Sequence, residues 1–162
     1  MTTGEVFSTA QLLDGKYTSW RASAAVFANR LYMAHAQLSS NKIIYARFDG
    51  TTWTPNSFLL VGPNGSTVDA AEPVLAAVNG FLHIVYRNYY FAPAKWSYFD
   101  GCVWSPEVSI GSLTTMFGFS LAQGGRGLLL TTSNSSSSIF VSEFTAPPAP
   151  IIPPSCGGAN QP

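Results

Sequence analysis

Charge is scarce in this chain. Eight Lys and Arg balance eight Asp and Glu among 162 residues, so the formal net charge is zero. So neutral a chain offers no basic patch for nucleic acid and no basic amphipathic stretch for a membrane surface. Cysteine is almost absent. Cys102 and Cys156 make neither a disulfide framework nor a zinc pattern, and a reduced compartment is the simplest expectation. No apolar run approaches the roughly 20 residues needed to span a bilayer. The opening MTTGEVFSTA lacks a basic n-region and an apolar h-region, so no secretory signal is read; a cytoplasmic or non-classically secreted protein fits that start. No window combines helical periodicity with caps. There is no G-x-S-x-G, no HExxH and no Gly-rich phosphate loop, so neither catalysis nor a cofactor or metal is expected.

What the chain does hold is apolar and aromatic. Hydrophobic residues make up 46%, including eleven Phe, seven Tyr and four Trp, which suits sheets buried on both faces. It also repeats itself. RFDGTTW at 47–53 returns as YFDGCVW at 98–104. Upstream, FANRLYMAHA (27–36) aligns with AVNGFLHIVY (77–86), Asn29 over Asn79. A weaker third copy runs through MFGFSLAQ (116–123), RGLLLTTS (126–133) and SIFVSEF (138–144). Each unit reads as four short strands, A to D. Asn-Arg, Asn-Gly or Gly-rich turns separate A from B, and Asp-Gly separates C from D. Four-strand units at this period are the sequence form of a β-propeller blade. The expected fold is therefore all-β, with three four-stranded blades over 1–145 and a proline-rich tail over 146–162. The third unit stops after strand C. VFSTAQLLDG (6–15) aligns with VWSPEVSIGS (103–112), so the N-terminal strand, residues 5–13, is expected to complete the last blade.

NGFLHIVYR…WSYFDGCVW and NRLYMAH…IYARFDGTTW resemble the repeats of bacterial and fungal β-propeller lectins, including fucose-binding ones, over residues 5–145. They are also similar to sialidase repeats. The sialidase box, however, places Ser-x-Asp-x-Gly-x-x-Trp at the C–D hairpin, whereas here Asp and Gly are adjacent and the Ser is missing. The resemblance implies a non-enzymatic carbohydrate-binding module whose partners are glycans, fucosylated ones among them. The alternatives are a protein-interaction scaffold and, less favoured, a sialidase-like hydrolase fragment. Asp49, Asp100, Trp53 and Trp104 are read as structural, a turn followed by a covering indole.

In such a blade the A–B and C–D turns share one face, and the B–C and D–A connections share the other. The second set carries most of the polar and aromatic loop residues, and loops on a rigid scaffold are where binding concentrates. A sugar needs an aromatic plane for its apolar face and fixed donors and acceptors for its hydroxyls. Trp20, Arg21, Gln37, Glu72, Arg87, Tyr89, Tyr90 and Trp96 supply those types. Trp96 and Arg87 each have a competing structural role, as core and as strand end. Three blades are too few to surround a channel. Two copies would close a six-bladed ring, so a homodimer is expected.

Overall fold

The structure, a computed structural model, describes residues 21–38, 40, 42–61, 66–67, 71–87, 93–110, 116–124, 127–134 and 139–145. These are all strand and turn. There is no helix among them, and so none long and apolar enough to cross a membrane. The first sheet is an antiparallel meander of β1 (Ser23–Phe27), β2 (Arg30–Ala36), β3 (Ile43–Phe48) and β4 (Ser57–Phe58). A short ribbon follows, β5 (Leu60–Val61) with β6 (Ser66–Thr67). The second meander is β7 (Ala71–Val78), β8 (Phe81–Arg87), β9 (Ala94–Phe99) and β10 (Val108–Ser109). The third is β11 (Met116–Gln123), β12 (Leu128–Asn134) and β13 (Ile139–Phe144). None of the three sheets closes on itself. The N-terminal strand expected at 5–13 and the tail from 146 lie outside the described residues.

The registers of the three sheets correspond. Leu31, Leu82 and Leu128 pair with Phe48, Phe99 and Phe144, so those positions are equivalent in the three sheets. The A–B turns then correct the sequence alignment by one residue. Phe27 pairs with Arg30 and Val78 with Phe81, which places Asn29 over Gly80, not over Asn79. Both central residues of each turn are left-handed: Ala28 and Asn29 at φ 48° and 59°, Asn79 and Gly80 at 50° and 76°. Two-residue turns of this hand match the twist of the flanking strands. The residue-by-residue likeness of Asn29 and Asn79 hid the slip, because either turn position accepts Asn.

The Asp-Gly turns are built alike. Asp49 Oδ1 accepts the Thr51 and Thr52 amides at 2.8 and 2.9 Å. Asp100 Oδ1 accepts those of Cys102 and Val103 at 2.7 and 2.9 Å. The Thr52 and Thr51 amides hold the Asp49 carboxyl below its ordinary value. Gly50 and Gly101 follow at φ 104° and 106°, where a β-carbon is strained. Trp53 and Trp104 then bridge back to Phe48 and Phe99. The two indoles meet different fates. Trp104 is buried against Tyr45 of the first sheet, while Trp53 is only partly covered. Replacing Asp100 with Ala strips two amides of their acceptor and should cost about 1–2 kcal/mol in urea unfolding. A loss below about 0.3 kcal/mol would show that water satisfies the turn equally well.

Cys102, within the second of these turns, is disulfide-bonded, contrary to the reduced thiol expected from sequence. Its partner lies outside the described residues. Sequence spacing carries no pairing information, since bridging depends on two β-carbons meeting in space.

The sheets stack face to face. One core cluster joins Phe27, Tyr32 and Tyr45 of the first sheet to Leu82, Tyr86 and Phe99 of the second. Another joins Val85 and Ala94 of the second to Phe119 and Leu130 of the third. The second sheet is thus covered on both faces, and every residue of β8 is buried. That is why FLHIVYR has no polar alternation: a strand with no solvent face carries no period-two signal. Burial leaves its polar side chains in need of partners. Tyr86 donates to Glu107 Oε2 at 2.9 Å, and burial first, then that carboxylate, pushes its phenol upward. The inner strands β1, β7 and β11 lie side by side, and Leu75 N–H donates to Ser23 Oγ at 3.0 Å across the first joint.

Candidate ligand cleft

Where the inner strands begin, at the end of the sheets opposite the Asp-Gly turns, the ladders of β7 and β11 are broken in the same way. On β7, Ala71 pairs with Arg87 and Val74 with Val85, leaving Glu72 and Pro73 against a single partner residue. On β11, Phe117 pairs with Ser133 and Phe119 with Thr132, leaving Gly118 over. Both extra residues are left-handed, Glu72 at φ 52° and Gly118 at 63°. Gly adopts that conformation freely, whereas Glu does so at a cost of about 1 kcal/mol. A bulge of this kind re-aims a side chain away from the pleat. Counting back along β1 from the Ser23–Ala34 pair, the position equivalent to Glu72 and Gly118 is Arg21.

These three positions converge. Arg21, Glu72 and Gly118 line one cavity of about 230 Å³, together with Ser23, Phe119 and Ser120. An adjoining, more open lobe of about 400 Å³ shares Arg21, Gly118, Phe119 and Ser120 and adds Thr131, Thr132 and Ile139. A β-carbon on Gly118 would stand 3.8 Å from Arg21 Nη1, so the guanidinium lies over the glycine. Gly118, without a side chain, lines both lobes.

The two arginines differ sharply. Arg87 is 2% exposed, lies 3.1 Å from Glu72 Oε2, and has its guanidinium carbon 6.0 Å from the Phe119 ring centre. Its charge is matched and most of its surface is covered, so it braces the cleft wall and fixes Glu72. Arg21 is exposed and, among the described residues, has no ion-pair partner. Thr132 is 4% exposed and lines the open lobe, and its buried hydroxyl has no hydrogen-bond partner among the described residues. Among the described residues, the cleft therefore offers one available cation, an aromatic ring, serine hydroxyls at Ser23 and Ser120, and one buried hydroxyl awaiting a partner.

Of the residues singled out from sequence, Arg21 and Glu72 line the cavity and Arg87 supports it. Trp20, Tyr89 and Tyr90 lie outside the described residues. Gln37 sits in the β2–β3 turn, where its backbone N–H donates to Lys42 O at 2.8 Å and its side-chain Oε1 accepts from Ser40 Oγ at 2.7 Å. Trp96 is engaged elsewhere. Its ring lies nearly coplanar beside that of His83 with centroids 5.9 Å apart, and its Nε1–H donates to His83 Nδ1 at 3.1 Å. Sequence reading passed over Ser23, Gly118, Phe119, Ser120 and Thr132. Signals were present for two of them: a glycine inside the strand pattern MFGFSLAQ marks a bulge, and the residue beside it must then point off the regular face. No group of three His, Cys, Asp or Glu suited to a metal ion occurs among the described residues. Comparison of the chain with protein-family models, with curated proteins and with solved structures finds no match.

Proposed function

We propose that the three sheets are blades of an open β-propeller arc and that the protein is a non-enzymatic glycan-binding module. The observation that carries the reading is the cleft itself. Three equivalent positions on three inner strands meet at one hollow, and its lining pairs an aromatic ring with hydroxyls and a guanidinium. A sugar uses each: its apolar face rests on Phe119, and its hydroxyls exchange hydrogen bonds with Ser23, Ser120 and Thr132. Glycoside hydrolysis would call for two carboxylates facing one pocket. The described lining supplies Glu72, which is held by Arg87. A glycan array, fucosylated structures included, followed by calorimetry is the test. Arg21→Ala should weaken the best hit about tenfold or more. An array and calorimetry both silent at millimolar sugar would favour a protein-interaction scaffold instead, since a fold does not dictate its function.

The same reading extends to assembly. Along β13, Ile139, Phe140 and Val141 are 77%, 39% and 61% exposed, more apolar surface than a solvent-facing strand ordinarily carries. A second copy closing a six-bladed ring, with residues 5–13 contributing the missing outer strand, would cover it. Ligand sites would then recur around one face and gain avidity.

A further inference from the structure

The cleft's charge says what kind of sugar it takes. Resting on the glycan-binding reading above, we infer that the ligand is an acidic sugar whose anionic group docks on Arg21, with the neighbouring ring of the glycan lying over Phe119 toward Thr132. Glu72 and Arg87 cancel each other at 3.1 Å, so among the described lining residues the uncompensated charge is that of Arg21. A neutral ligand would leave a guanidinium partly desolvated with no counter-charge. An acid group supplies a charge-assisted, two-pronged contact there, about twice as strong as one between neutral groups. The position is built for such a contact from both sides. Gly118 leaves the space beneath the guanidinium unfilled, and Ser120, on the same strand two residues on, places a hydroxyl at the shared mouth of both lobes. The second, independent pointer is the Thr132 hydroxyl. Buried and unpartnered among the described residues, it lines the lobe beyond Phe119, where the next ring of an oligosaccharide would supply its missing partner.

The bulge also provides a specific way to spoil the site. Glu72 shows that the equivalent position of this fold accepts glutamate in the left-handed conformation. Gly118→Glu would place a resident carboxylate beside Arg21 and occupy it.

The experiment uses matched probes on the full chain: methyl glucuronide, methyl glucoside, glucose 6-sulfate and acetate, titrated by calorimetry. The expected result is that the glucuronide or the sulfate binds about tenfold or more tightly than the glucoside, and that this advantage shrinks as salt rises from about 0.05 to 0.5 M. Which of the two acids wins separates carboxylated from sulfated sugars. Arg21→Ala and Gly118→Glu should both erase the advantage while circular dichroism stays that of the parent. Arg21→Lys should keep part of it. Equal binding of glucuronide and glucoside overturns the acidic-sugar inference and leaves the lectin reading standing. Acetate binding as tightly as glucuronide also overturns it, by exposing a plain anion site. If no glycan on the array or in these titrations binds, the lectin reading falls, and this inference with it.

Discussion

Replacing Arg87 with methionine is expected to remove about 3 kcal/mol of folding stability, the largest single-residue loss foreseen here. The side chain is 2% exposed and braces the start of β7 against Phe119. Methionine keeps much of the volume but leaves the Glu72 carboxylate, 15% exposed, without its counter-charge. A carboxylate so placed must recruit water into the sheet joint or take up a proton. The partner substitution dissects the effect. Glu72→Gly also breaks the ion pair, yet it relieves a left-handed glutamate and makes the bulge resemble that at Gly118. It should therefore cost about 1 kcal/mol less than Arg87→Met. Urea unfolding of the two variants beside the parent gives both numbers. An Arg87→Met loss under about 1 kcal/mol would mean the pair merely decorates the cleft.

Acid should act on the protein through His83. Burial pushes this imidazole down to about 4, while the Val78 carbonyl partly opposes the shift. Its two contacts define the neutral tautomer: Nε2–H donates to Val78 O at 3.2 Å, and Nδ1 accepts from Trp96 Nε1 at 3.1 Å. A second proton would land on Nδ1, facing the indole N–H. The unfolded chain binds that proton near pH 6.5, well before the folded one does. Stability is therefore full above about pH 6.5, falls as pH drops, and levels off near pH 4, with up to about 3 kcal/mol lost across that window. His83→Gln keeps a donor toward Val78 and has nothing to titrate. Its stability at neutral pH should be lower, but its slope between pH 6.5 and 4 should be flatter than the parent's by that amount. His35 remains in both proteins, so the difference isolates His83. Parallel slopes would refute the assignment.

The sequence alone determined the class of structure, all-β, and many of its strands and turns. Apolar runs such as FLHIVYR, turn dipeptides such as Asn79-Gly80, and the recurring Phe-Asp-Gly…Trp are local signals. Each specifies strand or turn by chemistry within a few residues, so β2, β8 and β12 and the Asp49 and Asp100 turns were legible. Arg21, Glu72 and Arg87 stand out in the sequence too, as polar residues of the connecting loops. What tertiary structure decided was their roles. Arg21 and Arg87 look alike in the sequence. Only the packing of β8 between two sheets buries one against Glu72 and leaves the other open. Trp96 could not be told from a ligand-stacking indole until His83 was seen beside it, since that contact depends on register across β8 and β9. Ser23, Ser120 and Thr132 carry no local mark at all. They become a site because two bulges bring the starts of three inner strands to one hollow, and that convergence is a property of sheets meeting in space.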